Sequence, residues 1–158
     1  MPKAKLSGNG ITEYLQTIKK LEGDVEEVAK QAVYEGTKVV ADQVRANIQA
    51  LPIDEHWGTP QHPRHGVTQY QKRGLLEGFG VAGMQNDRGF LNTMVGFDSA
   101  GYNEKGQPNL MVARAIQSGT SFSDKLPFFD EAVRATKTAA KNKMIEVAED
   151  ELKKITKG

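Results

Sequence analysis

The chain has 158 residues, with 21 Lys and Arg against 20 Asp and Glu, and no cysteine. A net charge of +1 provides no bulk attraction to nucleic acid or an anionic membrane. The lack of thiols excludes disulfide scaffolds, cysteine nucleophiles and cysteine metal clusters. Leu, Ile, Val and Phe together number 35. That share lies just above the roughly 20% below which disorder is the better expectation, so a thin core is implied. No apolar run approaches the ~18–20 residues that span a bilayer. The lysines near the start are followed by no apolar stretch, unlike a secretory signal. The expectation is one soluble domain over residues 1–158, folding in a reducing cytoplasm.

Residues 1–10 read as a loose leader. Ile11, Tyr14, Leu15 and Ile18 then share a helical face, with Asn9 or Thr12 as a cap, and Gly23 breaks the pattern. The leader and short helix together occupy 1–23. Asp24 and Glu27 form a capping-box-like pair before a long helix marked by Val25, Val28, Ala29, Ala32, Val33, Val40, Val44, Ile48 and Leu51. Pro52 ends it. Residues 52–73 read as a loop, with a turn of helix near Arg73. Over Gly74–Asp98 the period changes. Phe79 and Val81 alternate with glycines, Asn86–Gly89 is a turn signal, and Leu91, Thr93, Val95 and Phe97 alternate with Phe90, Asn92, Met94 and Gly96. This predicts a hairpin of two strands.

A second loop covers 98–108. Met111, Val112, Ala115 and Ile116 predict a short helix stopped at Gly119. Pro127 is expected in the first turn of the last helix, whose apolar stripe is Phe129, Ala132, Val133, Ala140, Met144, Val147, Ala148, Leu152 and Ile155. Each long helix would run ~40 Å at 1.5 Å per residue. The fold class expected is α+β, with long N-terminal and C-terminal helices packed with a small antiparallel sheet.

Several patterns touch on chemistry. Gly78-Phe79-Gly80-Val81-Ala82-Gly83 matches G-x-G-x-x-G, but a turn rather than a helix follows it, so a glycine-rich strand or bend is the better reading. His56, His62 and His65 lie near Asp54 and Glu55, a thinkable zinc set, but interleaved prolines and glycines leave no regular element to fix them. Gln117-Ser118-Gly119-Thr120-Ser121 lacks the G-x-S-x-G frame and the strand of a nucleophile elbow. No catalytic, cofactor-binding or metal residue is assigned, and the expectation is a protein that is not an enzyme. In the last helix, Arg134, Lys137, Lys141 and Lys143 precede Glu146, Glu149, Asp150 and Glu151. This is either a solvated helix surface or a surface with positive and negative segments suited to partners or neighbouring copies.

The helices are as long as the whole diameter expected of such a domain, and a short sheet cannot cover both apolar stripes. Some apolar surface and at least one loop are therefore expected to become ordered against neighbouring subunits.

Three stretches carry a family resemblance. They are Gly78-Phe79-Gly80-Val81 through Met94-Val95-Gly96-Phe97; Val112-Ala113-Arg114-Ala115-Ile116-Gln117-Ser118-Gly119-Thr120-Ser121; and Leu126-Pro127-Phe128-Phe129 with Ala132. Over roughly residues 24–155 the chain resembles the phage tail-completion or head–tail joining proteins, a minor-tail family of long-tailed phages and phage-derived contractile particles. Gln117 stands where that family usually has an acid. The resemblance implies a structural virion protein of the neck. It would form a ring, commonly sixfold, at the head-proximal end of the tail tube, next to connector and tail-tube proteins. DNA would pass through the lumen without sequence readout, and no membrane or cofactor is implied. Assembly would take place in the host cytoplasm. The alternative is a nucleic-acid-binding module using the basic stretch Arg134–Lys143, although no aromatic residues interleave those bases.

Overall fold

Helices and a small sheet form an α+β fold in a computed structural model that describes residues 4–7, 25–88, 90–98 and 100–157. In chain order these are β1 (Ala4–Ser7), α1 (Val25–Gln49), α2 (Gln69–Gly78), β2 (Phe79–Val81), β3 (Gln85–Asp87), β4 (Phe90–Phe97), α3 (Asn109–Ser118) and α4 (Phe128–Lys157). At 1.5 Å per residue α1 and α4 are about 38 and 45 Å long. The expected helix over Ile11–Leu21, the Gly23 break and the Asp24 cap lie outside the described residues.

The central strand is β4. On one side β1 runs antiparallel to it, from Ala4 opposite Val95 to Ser7 opposite Asn92. So part of the expected leader is a sheet strand. On the other side β4 takes β2 and then β3, which is antiparallel with Gln85 opposite Asn92. Residues 82–84 interrupt that side, where the Ala82 amide donates to the Met94 carbonyl at 2.7 Å and Thr93 Oγ1 to the Ala82 carbonyl at 2.5 Å. Between β3 and β4 Arg88 adopts φ 54°, a turn conformation.

The contacts divide the described chain into two compact units that interleave in sequence. One combines the start of α1 with β1, β3, most of β4 and α4 from Thr136 onward. Its core is Val28, Ala29, Ala32 and Val33 of α1, Leu91 of β4, and Met144, Ala148 and Leu152 of α4. Thr136, Ala140, Met144, Ala148 and Leu152 form a buried ridge at four-residue spacing. Gly36 lets α1 approach that ridge: a Cβ there would sit 2.9 Å from the Ala140 carbonyl oxygen and would overlap Met144.

The other unit combines the end of α1 with α2, α3, the first turns of α4 and the long loops. Its core is aromatic. The Phe97 ring contacts Phe79, Phe128 and Phe129 at centroid distances of 5.6, 6.2 and 6.4 Å. Each such pair contributes roughly 0.5–1.5 kcal/mol beyond simple burial. The helix near Arg73 is longer than a turn. Thr68 and Gln71 form a reciprocal capping box, Glu55 Oε1 accepts the Gln69 amide at 2.8 Å, and the helix runs on to Gly78. Consequently Gly74 belongs to a helix, not to a hairpin.

Two residues set the corner between α3 and α4. Gly119 has φ 75° and ψ 164°, a region essentially restricted to glycine, and its amide donates to the Ala115 carbonyl at 2.8 Å. Gln117 is buried, and its Oε1 accepts the amides of Phe129 at 3.0 Å and Asp130 at 3.4 Å. It caps the start of α4 from the neighbouring helix. Pro127 precedes the helix rather than lying inside it, and its carbonyl accepts from the Glu131 amide at 3.0 Å.

Gly36→Leu should lower stability in a urea titration by about 2–3 kcal/mol through overpacking. Gly80→Ala, where nothing lies within 4 Å of the added carbon, should stay within about 0.5 kcal/mol of the parent. Gln117→Leu should cost about 1–3 kcal/mol, because two amides lose their acceptor. Gln117→Glu, which retains an acceptor, should lose less in the same titration.

Candidate assembly surface

Pro52 turns the chain out of α1 into the loop that runs to Thr68, and Gly119 turns it out of α3 into the loop that runs to α4. These two loops are bonded to each other. The Arg64 amide donates to the Phe122 carbonyl and the Asp124 amide to the Arg64 carbonyl, both at 2.8 Å. Within the first loop the Asp54 amide donates to the Val67 carbonyl at 2.9 Å and the Val67 amide to the Pro52 carbonyl at 2.8 Å. Gly58 passes so close to the Phe122 carbonyl that a Cβ would overlap it. Both loops thus draw their order from bonds inside one chain. What they leave uncovered is side chains.

Those side chains are large and apolar. Trp57 is 89% exposed, Phe122 54% and Ile53 42%. Full exposure of a lone large side chain is unremarkable on a mobile loop. Here it occurs on bonded loops, next to Gly58, whose backbone lies against the Phe122 carbonyl. Large apolar side chains held exposed in this way are candidates for contact surfaces.

An exposed polar network links the same loops. Asp54 Oδ2 accepts the His65 amide at 2.9 Å, and Asp54 Oδ1 accepts the His56 amide at 3.3 Å and pairs with His56 Nδ1. Arg64 Nε donates to the His56 carbonyl at 2.8 Å. His65 Nδ1 reaches across to Asp124 Oδ2 at 2.5 Å. The His65 amide, and after it the His56 side chain, hold the Asp54 carboxyl at about 2, against the opposing push of burial. The Asp124 carboxylate raises His65 above its usual 6.5. Among the described residues no three His, Asp or Glu groups converge as a metal set. His56 and His65 go to different carboxylates, while the His62 amide closes a small turn onto Thr59.

The remaining sequence patterns fall elsewhere. Gly78 closes α2, Gly80 lies in β2, and Gly83 lies in the break before β3, so no helix N-terminus follows the glycines. Gly74 and Gly78 instead make room for the Asn109 side chain at the start of α3. Ser118 ends α3, and Thr120 Oγ1 and Ser123 Oγ share a hydrogen bond at 2.9 Å. An open hollow of about 350 Å³ lies between Leu51, Pro52, Lys125, Leu126 and Phe128. Arg134, Lys137 and Lys141 are exposed, while Lys143 pairs with Glu146 at 3.6 Å. The exposed Trp57 and the capping Gln117 were the residues here least marked by sequence. The former sits in a loop without period, and the latter acts through a contact twelve residues away.

His65 and Asp54 contribute in different pH windows. The raised His65 strengthens the fold below its unfolded value near 6.5, and that contribution vanishes as the pH rises through its folded pKa. Asp54 contributes fully above its ordinary 3.8 and loses its contribution as the pH falls toward 2. In an imidazole NMR titration His65 should therefore titrate above 6.5, and Asp124→Asn should move it back toward that value. No protein-family model, curated protein or solved structure matches this chain.

Proposed function

We propose that this chain is a structural subunit of the neck of a phage or phage-derived particle. It builds a ring at the head-proximal end of the tail and helps complete the tail and join it to the head, without a catalytic step. The observation that carries the reading is the presentation of Trp57 on bonded loops. The polar groups nearby are engaged in holding those loops together and are not gathered around a cleft. The order of elements supports it too: the long helix α1 precedes the loop, as the family resemblance implies, and α3 ends before Gly119-Thr120 while α4 opens after Pro127.

In this reading the α+β body is a building block and the loops are joints. The ring is sixfold, its neighbours are connector and tail-tube proteins, and DNA crosses the lumen without base contacts. The near-neutral chain suits that passage, since a strongly basic lumen would retain DNA through its phosphates.

Purified particles of the parent phage test the proposal. The chain should be found in them by mass spectrometry and located at the neck by electron microscopy. Trp57→Ala should leave thermal stability within about 0.5 kcal/mol, as expected of an exposed site, yet sharply reduce incorporation. Trp57 is the only tryptophan, so its emission should shift to the blue on assembly. Absence from particles, or salt-sensitive DNA binding that Arg134, Lys137 and Lys141 carry at physiological ionic strength, would overturn the reading.

A further inference from the structure

We infer that the Trp57 side chain of one copy of this chain seats in the hollow between the end of α1 and the start of α4 of a second copy. The inference rests on the reading of Trp57 as an assembly anchor and names the site that receives it.

The hollow is built within the single chain. Buried Leu51 and Phe128 line it, together with half-buried Leu126 and Pro127 and exposed Ala50 and Pro52. Hydrogen bonds tie its walls together. Asn47 Nδ2 donates to the Phe128 carbonyl at 2.9 Å, Lys72 Nζ to the Leu51 carbonyl at 3.1 Å, and the Leu126 amide to the Ile116 carbonyl at 2.9 Å. The alanine and the two prolines have almost no rotamer freedom to lose on contact. Trp57 does not line this hollow and is 89% exposed, so its ring fills no site in its own chain.

Size and chemistry select the occupant. A volume of about 350 Å³ stands at the small end of the ~300–1,000 Å³ typical of ligand pockets. That suits one bicyclic ring better than a nucleotide. An indole has a broad apolar body and a single N–H that only donates. The hollow has apolar walls and one carboxylate, that of exposed Glu131. No ion pair among the described residues takes Glu131. Lys125 also lines the hollow and supplies a cation for the face of an aromatic ring.

Ring and seat come from the same two loops, inside one compact unit. Pro52 opens the loop that carries Trp57. Lys125 lies in the loop bonded to it through the Phe122 carbonyl and the Asp124 amide. A copy that offers the ring therefore also offers the seat. One buried aromatic side chain supplies about 150–250 Å², against about 1,600 Å² in a standard interface. The contact is accordingly weak in isolation and is read at high concentration.

The test uses two full-length variants, with circular dichroism to check folding. Ala50→Arg sets a long side chain at the hollow and keeps the ring. Trp57→Ala removes the ring and keeps the hollow. Trp57 is the only tryptophan, so when Trp57→Ala is titrated into Ala50→Arg all indole emission comes from the ring to be received. Titrated to about 1 mM, so that millimolar affinity is read, Trp57→Ala should shift that emission to the blue. A titrant carrying both substitutions has neither half of the contact and should leave the emission unchanged. Ala50→Glu, shorter and of opposite charge, should behave as Ala50→Arg does. In sedimentation each single variant alone should associate at least about tenfold more weakly than wild type. The inference is overturned if Trp57→Ala produces no shift, if the doubly substituted titrant produces the same shift, or if blocking the hollow leaves self-association unchanged. Loss of Trp57→Ala from particles without a shift in this titration places the ring on a different protein, and it leaves the neck reading standing. A shift in a protein absent from particles does the reverse.

Discussion

The close approach of α1 to α4 at Gly36 is the constraint on which the long-helix half of the molecule depends. With so few large aliphatic side chains, deep interdigitation of leucines is not available as a source of stability. Small residues solve the problem differently. Ala29, Ala32 and Gly36 on α1 and Ala140 and Ala148 on α4 bring backbones close, so that main-chain atoms supply dispersion contacts that side chains would otherwise make. Met144 fills what remains, since its flexible thioether adapts to an irregular gap. The cost is sensitivity, because added volume at the crossing has no direction in which to relax.

The aromatic half depends on a different arrangement with the same economy. Phe97 at the end of β4 touches three other rings, so one strand terminus fixes the ends of α2 and α4 together. Gln117 then ties α3 to the first amides of α4. A carboxylate at this position would accept the same amides and add a favourable interaction with the positive end of the helix. The amide trades that term for a smaller desolvation penalty in a buried place. This gives a physical reason for either residue type at the corner, independent of any binding role.

The clearest features in the sequence were those written in local period. The stripe of α1, its end at Pro52, the inward alternation of Leu91, Thr93, Val95 and Phe97, and the stop at Gly119 all reappear in the fold. Features resting on distant pairing were not legible. Residues 4–7 join β4 across more than eighty positions, and nothing in four residues announces that. The second helix was hidden for another reason. Its face is polar, and Gly74 suggested a strand, although Thr68 and Gln71 carry the capping-box spacing that marks its start. Gly78 of the glycine motif, like Gly74 one turn before it, serves helix packing against Asn109. Of the assembly surface, the loop boundaries were visible and the exposure of Trp57 was not. Exposure is decided by which loops bond to each other.

Rigidity links the two halves of the functional argument. An aromatic anchor on a loose loop must be ordered when a partner arrives, and each immobilised side chain costs roughly 0.5–1.5 kcal/mol of binding. The Asp54, His65 and Asp124 links, together with the Arg64 backbone bonds, place that ordering in the folding of the single chain. Under the proposed function Trp57 would then meet a partner already positioned. In the proposed neck role such prior ordering would lower the cost of joining a neighbour, because the loops are already fixed before contact.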